Sequence, residues 1–358
     1  MTKRASTALW AWALAGLVGH GPAPAAETIQ EWELQVWQQP FRYESPTQDV
    51  RYRPLEAASR RWRLCVSYPH MKDAYWLNVN YGMVQEARRL GVTMELVEAG
   101  GYPNLQRQLA QIERCVREGA DALIVGAVSY EGLTAAITRI AANVPVLATV
   151  NDIRDDGITA KSGVSWVSMG RVVGEYLAER HPIGGDPVKV AWFPGPQGAG
   201  WVTFIERGFR EGIADGALDI VTTKWGDTGK EIQRTLVQEA LEEHPDIDYI
   251  VGNALTAEAA ISVLRARGLE DQVRIVSTYF THGVFRGIKR GRILAAPTDS
   301  PVLQGRLSID QAVRALEGEE FVKHAGPRII LIHPGNLADF NLDSSLAPPT
   351  FLPTFKVN

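Results

Sequence analysis

The sequence predicts an α/β fold built as two doubly wound parallel sheets with a cleft between them. Three observations predict it. From Trp62 onward, short runs rich in Val, Ile and Leu alternate with segments of helical periodicity, the pattern of strand–helix units in parallel sheets. The runs are continuously apolar, so each strand is covered on both faces. About ten such runs occur, too many for one comfortable sheet.

The runs are Arg63–Tyr68, Thr93–Glu98, Ala122–Val128, Val144–Val150, Ser162–Ser165, Val188–Phe193, Asp219–Thr223, Tyr249–Gly252, Arg274–Thr278 and Ile293–Ala296. Between them, Leu105–Glu118 sets Leu105, Leu109, Ile112 and Val116 on one helical face. Met169–Glu179 does so with Val172, Val173, Tyr176 and Leu177, and Glu231–Glu242, Ala257–Ala266 and Leu303–Leu316 follow the same rule. Gly119, Gly268 and Gly318 stand just past three of these segments, where a helix stop is expected. The first block ends at Val150–Asn151 and the second starts near Ser162, with the polar, turn-rich Asn151–Ala160 as the crossover. Two segments fall outside the alternation. Ala26–Arg61 is polar and aromatic, and either packs across the first lobe or is partly disordered. Ala347–Asn358, with Pro348, Pro349 and Pro353, reads as an extended tail.

The 358 residues are 45% hydrophobic and 22% charged, an ordinary globular composition. A net charge of −4 lacks the basic footprint of a nucleic-acid binder. At the N-terminus, Lys3 and Arg4 precede an apolar run, Ala8–Val18, and the small-residue site Ala23-Pro24-Ala25. Residues 1–25 therefore read as a secretory signal peptide, with an apolar run too short to span a bilayer. Its loss leaves 35 basic against 41 acidic residues, a charge of −6. No later run is long and apolar enough to cross a membrane, and no membrane insertion is expected. Export makes Cys65 and Cys115 candidates for one disulfide, two buried thiols being the alternative. No metal-ligand spacing occurs, and the seven histidines are scattered.

Ligands in open α/β sheets bind outside the carboxyl ends of the strands. After the first run comes Tyr68-Pro69-His70-Met71-Lys72-Asp73-Ala74-Tyr75-Trp76, in which Tyr75 and Trp76 open a helix. Gly100-Gly101-Tyr102-Pro103-Asn104 follows the second, Trp166 follows Ser162–Ser165, and Tyr279 follows Arg274–Thr278. Each aromatic either packs against its own helix or joins a cage. Trp and Tyr faces attract a quaternary ammonium by about 0.5–2 kcal/mol per contact. Asp73 either offsets a positive ligand charge or caps the Tyr75 helix. Asp299, at the last strand end, either anchors the hinge or ligand or caps the following helix.

Enzyme motifs fail on inspection. G-x-S-x-G and the P-loop are absent, and no G-x-G-x-x-G follows the first strand. Gly195-Pro196-Gln197-Gly198 has the wrong spacing for a phosphate loop and reads as a turn. Asp155-Asp156 has no metal-loop spacing around it. Catalytic residues, a metal and a cofactor are not expected.

The alternation resembles the type I periplasmic binding proteins of the ribose-binding kind, two Rossmann-like lobes that close on a ligand. RWRLCVSYPHMKDAYWLNVNYGM, EAGGYPN, GVSWVSMG, IDYIVGNALTAEAAISVLR, HGVFRG, LAAPTD and the closing PTFKVN resemble one class more closely. That class binds trimethylamine N-oxide (TMAO) in the periplasm and partners the periplasmic sensor domain of a membrane histidine kinase. The resemblance runs from about Trp62 to the C-terminus. It implies a non-enzymatic sensor whose cage is formed by Tyr75, Trp76, Tyr102, Trp166 and Tyr279, with Asp73 nearby. The expected organisation is a first lobe of residues 62–152 joined by about 296–358, a second lobe of 153–295, and an N-terminal extension of 26–61.

The alternative is a solute-binding protein of an importer, for a sugar or a quaternary amine. A sugar site needs several Asp, Asn and Arg side chains around one or two stacking rings, whereas these strand ends are mostly aromatic. A repressor-like core would need an N-terminal helix-turn-helix, which the export signal excludes. An exported hydrolase would need a nucleophile and a base, and no such pair is present.

Overall fold

A computed structural model describes Thr2 and residues 30–358. The expected leader and its cleavage after Ala25 lie outside the described residues. The chain begins with β1 (Trp32–Trp37), β2 (Thr47–Tyr52) and β3 (Arg63–Tyr68). It continues through α1 (Ala74–Leu90), β4 (Thr93–Glu98), α2 (Leu105–Arg117), β5 (Ala122–Val125), α3 (Thr134–Ala141), β6 (Val146–Thr149) and β7 (Ala160–Ser162). Next come α4 (Trp166–Ala178), β8 (Val188–Phe193), α5 (Gly200–Gly212), β9 (Leu218–Thr223), α6 (Lys230–Glu243), β10 (Tyr249–Gly252), α7 (Ala254–Arg267), β11 (Arg274–Ser277) and α8 (His282–Lys289). The chain ends with β12 (Ala296–Thr298), α9 (Pro301–Glu317), β13 (His324–Gly326), β14 (Ile330–Ile332) and β15 (Lys356–Val357).

Among the described residues two main sheets form. The larger runs β15-β4-β3-β5-β6-β7-β13-β1-β2, and the smaller β11-β10-β8-β9. β3 to β7 and β8 to β11 pair in parallel, as continuously apolar runs require. In each sheet the strand order reverses beside its first strand, β3 or β8. Loops leaving the carboxyl ends on either side of such a strand diverge and open a crevice.

The helices that carry the crevice are held by close backbone contact. A Cβ on Gly82 of α1 would lie 1.9 Å from the Val302 carbonyl of α9, and one on Gly170 of α4 would lie 2.0 Å from the Ile205 carbonyl of α5. Only glycine allows these approaches, so the starts of α1, α4 and α5 are set by helix-to-helix packing. Glycine also ends the helices where expected, Gly268 and Gly318 at φ +67° and +68°.

The crossover differs from expectation. The run expected at Ser162–Ser165 to open the second block is instead β7, Ala160–Ser162, which lies in the large sheet, paired in parallel with β6 and β13. The polar Asn151–Ala160 segment joins two neighbouring strands of one sheet, and the chain leaves for the small sheet only at Gly163–Ser165. Polarity there marked a loop between strands of one sheet, not a passage between sheets. The chain returns after β12, which pairs antiparallel with β14.

The N-terminal segment is also more ordered than its composition suggested. β1 and β2 form a hairpin over six residue pairs, and β1 pairs antiparallel with β13 at the edge of the large sheet. Trp32 and Leu34 turn inward on alternate positions. At the other edge the proline-rich tail adds β15, antiparallel to β4.

Cys65 on β3 and Cys115 on α2 form a disulfide, with Cα atoms 6.1 Å apart and a sequence separation of 50. It ties α2 to the sheet that it covers. Reduction is expected to lower the unfolding free energy by about 2–4 kcal/mol, read as an earlier urea midpoint. Thiol titration of the unfolded, unreduced chain should find no free sulfhydryl, and two titratable thiols would contradict the bridge.

Candidate functional site

Between the two sheets lies a small cavity lined by Asp73, Tyr75, Trp76, Tyr102, Asn151, Trp166, Trp201, Thr228 and Tyr279. Every one of these residues follows the carboxyl end of a strand: β3, β4, β6, β7, β8, β9 or β11. Six are aromatic, and all six are under a tenth exposed. Tyr75 meets Tyr279 edge-on at 5.4 Å, Trp201 lies 5.4 Å from Trp166 and 6.1 Å from Tyr102, and Tyr75 meets Trp76 at 5.9 Å. Trp76 reaches its place because residue 126 is glycine: a Cβ there would lie 2.5 Å from its Cη2. The space open to the centre of a water molecule is about 20 Å³, little more than one water centre requires. Such a chamber is small, and a sugar ring exceeds it.

Asp73 is the N-cap of α1. Its Oδ1 accepts the Tyr75 backbone N–H at 2.9 Å, and its Oδ2 accepts the Tyr279 hydroxyl at 2.5 Å from across the cleft. Burial pushes the carboxyl up to about 6, against the two hydrogen bonds that stabilise its charge. Tyr75 donates to Asp299 Oδ2 at 2.6 Å, where Gln304 Nε2 also donates at 2.7 Å. Burial raises the Asp299 carboxyl as well. Asp73 thus caps the helix, one of its two expected roles, and also lines the cavity. Asp299 sits behind Tyr75, at the passage into α9.

The phenols of Tyr75, Tyr102 and Tyr279 are all raised by burial and stay protonated. The Tyr102 oxygen accepts the Asn151 amide at 3.1 Å. The Trp201 Nε1–H is buried without a hydrogen-bond partner among the described residues. Trp166 donates its indole N–H to the Val150 carbonyl at 3.0 Å. One further contact closes the cleft: His70 Nε2 lies 2.9 Å from Thr228 Oγ1. Burial lowers the imidazole to about 4, Asp227 opposing and Lys72 adding to the effect. The cavity therefore presents ring faces, one carboxylate and a few N–H and O–H donors. It can hold a small cationic group bearing one acceptor atom.

The structure gathers all six side chains that the sequence marked: Asp73, Tyr75, Trp76, Tyr102, Trp166 and Tyr279. Sequence reasoning missed Trp201, Asn151 and Thr228. Trp201 obeys the rule that found the others, an aromatic at a helix entry after a strand, but lies behind the Gly195–Gly198 turn. Asn151 and Thr228 resemble ordinary loop residues and carry no such signal. Among the described residues no group of His, Cys, Asp and Glu has the geometry of a metal site.

Residues 64–320 match the family model of the periplasmic binding protein domain. Periplasmic protein TorT of Escherichia coli K12 is 39% identical over 337 residues, 93% of either chain. A solved ABC transporter solute binding protein from Bradyrhizobium sp. BTAi1, with bound bis-tris, is 48% identical, with a TM-score of 0.78 over 93% of this chain and 100% of that one. The TorS sensor domain–TorT complex, solved without ligand and with TMAO, matches at 42% identity over 82% of this chain, with TM-scores of 0.76 and 0.75 over 100% and 99% of the solved chains. The chain belongs to the periplasmic binding proteins, and within them to the TorT family.

Proposed function

We propose that this protein binds TMAO in the periplasm and passes its occupancy to the periplasmic sensor domain of a membrane histidine kinase, without catalysing a reaction. Residues 1–25 are its export signal, and the two lobes follow the expected division, except that β7 and the N-terminal hairpin of β1 and β2 belong with the first. The observation that carries the reading is the cavity itself, six aromatic side chains and one carboxylate around a small chamber. TMAO has three methyl groups on a positively charged nitrogen and one oxygen that accepts hydrogen bonds. The methyl groups would lie on the ring faces, where a cation desolvated from water is held most strongly. Asp73 would offset the nitrogen's charge. The oxygen would take the Trp201 indole N–H and the Tyr102 hydroxyl, two donors not committed to a carboxylate or a carbonyl.

A solute-binding role for an importer is the second reading. The Bradyrhizobium relative, an ABC transporter solute binding protein, was solved with bis-tris, itself an amine. Both readings share the cavity, and they part at the partner.

Calorimetric titration with TMAO, trimethylamine, betaine and ribose is expected to give tightest binding to TMAO and none to ribose. Trp76→Ala and Trp166→Ala should each weaken TMAO binding by about tenfold or more while melting like the parent protein, since each removes a desolvated cation–π face. Wild-type affinity in both variants would contradict the site.

Binding should weaken on acidification, for two reasons of the same sign. A cation beside Asp73 lowers its carboxyl below the value of about 6 in the empty cavity. That part of the affinity is present above pH 6 and lost as pH falls through it. Burial of His70 in the closed cleft disfavours its charged form, so its part is lost as pH falls from 6.5 toward 4. Titrations from pH 7.5 to 5 should show about a tenfold fall or more. Asp73→Asn should bind more weakly at pH 7.5 and keep only the His70 part of the slope. A flat wild-type profile would contradict this electrostatic picture.

A sensor domain that reads lobe closure must change TMAO affinity by the same factor as TMAO changes its own binding. TMAO titrations of the free protein and of its complex with the sensor domain should therefore give different affinities. Equal values would mean that closure is not what the kinase reads.

A further inference from the structure

The turn after β6 faces two directions at once. Val150 has φ +62°, in the left-handed region, where a β-branched residue is an outlier. Its carbonyl holds the Trp166 indole N–H, and its neighbour Asn151 donates to the Tyr102 hydroxyl and, at 2.7 Å, to the Ala127 carbonyl. Asp152 lines instead a second cavity of about 490 Å³, which shares Trp166 as a wall with the first. There Asp152 forms an ion pair with Lys161 of β7, the two residues 3% and 5% exposed.

The loop of the N-terminal hairpin closes over this pair. The Lys161 ammonium sits 4.5 Å from the centroid of the Tyr43 ring. Tyr43 packs edge-on against Trp37 at 5.2 Å and His324 at 4.8 Å, and the Phe41 N–H donates to His324 Nδ1 at 3.0 Å. His324 is the register partner of Lys161 on the neighbouring strand. Lys161 is thus held between a carboxylate and an aromatic ring. The hairpin that supplies the ring lies outside residues 64–320, the part that matches the family model.

A strained backbone persists only where its surroundings over-determine it. On the side away from the ligand cavity, those surroundings are Lys161 and the hairpin loop. We infer that Tyr43 and Lys161 are positioning residues for the ligand cavity: through Asp152 they fix the Val150–Asp152 turn, and the turn sets the Trp166 indole and the Asn151 amide. The consequence for affinity rests on the TMAO reading, but the consequence for Trp166 does not.

The test is hydrogen exchange at the indole N–H groups of the full mature chain, followed by NMR with labelled tryptophan and no ligand. Two variants probe the chain of contacts. Tyr43→Ala removes the ring, and the double variant Lys161→Met with Asp152→Leu removes both charges together, so that neither is left buried alone. Both are expected to speed exchange at Trp166 by about tenfold or more, and to leave the buried Trp192 of the small sheet unchanged as evidence of an intact fold. Tyr43→Phe, which keeps the ring under Lys161, should exchange like wild type. In parallel, TMAO affinity should fall in the first two variants and hold in the third. Wild-type exchange at Trp166 in both Tyr43→Ala and the double variant would overturn the inference, whatever the titrations give. If the wild-type protein fails to bind TMAO, the ligand reading falls, and the exchange rates alone decide the positioning role.

Discussion

The carboxylate of Asp73 is the contact on which the centre of the molecule depends. One oxygen caps α1 and so sets where Tyr75 and Trp76 begin. The other takes the Tyr279 hydroxyl from the opposite lobe. The charge is desolvated by the rings around it, which is why the carboxyl rises to about 6. A buried acid in this state is costly unless it is hydrogen-bonded or faces a cation. Capping the helix, joining the lobes and favouring a positive ligand are thus three consequences of one buried group. Replacing it by an apolar residue would leave the Tyr75 N–H and the Tyr279 hydroxyl unpartnered in a dry cavity.

Around that point residues of both sheets meet across the cleft. Tyr279, Trp201 and Thr228 come from strands of the small sheet, and Asp73, Tyr75, Trp76, Tyr102 and Asn151 from the large one. A ligand enclosed by both favours the closed arrangement only as far as it binds that arrangement better than the open one. The His70–Thr228 and Asp73–Tyr279 contacts both bridge the two sheets, so the seam is polar and the interior aromatic. The ring faces are buried, the condition under which a methylated cation gains most from them.

Much of this was legible before any coordinates. The parallel sheets follow from runs such as Val188–Phe193 that are apolar without alternation, and the site aromatics stand at strand carboxyl ends where ligands bind. What stayed hidden depends on contacts distant in sequence. That Lys161 pairs with His324, and hence that β7 belongs to the large sheet, is a register between residues far apart along the chain. The N-terminal hairpin shows only a short apolar alternation at Trp32 and Leu34, diluted by the charged residues of an exposed edge strand. Asn151 and Thr228 became site residues only once the lobes were seen to meet. The two cysteines allowed a bridge, and the packing of α2 on β3 brings them within reach.

The most direct measurement is a crystal structure of the mature protein grown with TMAO. The trimethylammonium group should lie among Tyr75, Trp76, Trp166 and Tyr279, with its oxygen on the Trp201 indole N–H and the Tyr102 hydroxyl and with both lobes closed on it. Density for TMAO anywhere else, or a cavity holding only water at saturating TMAO, would contradict the assignment of this site.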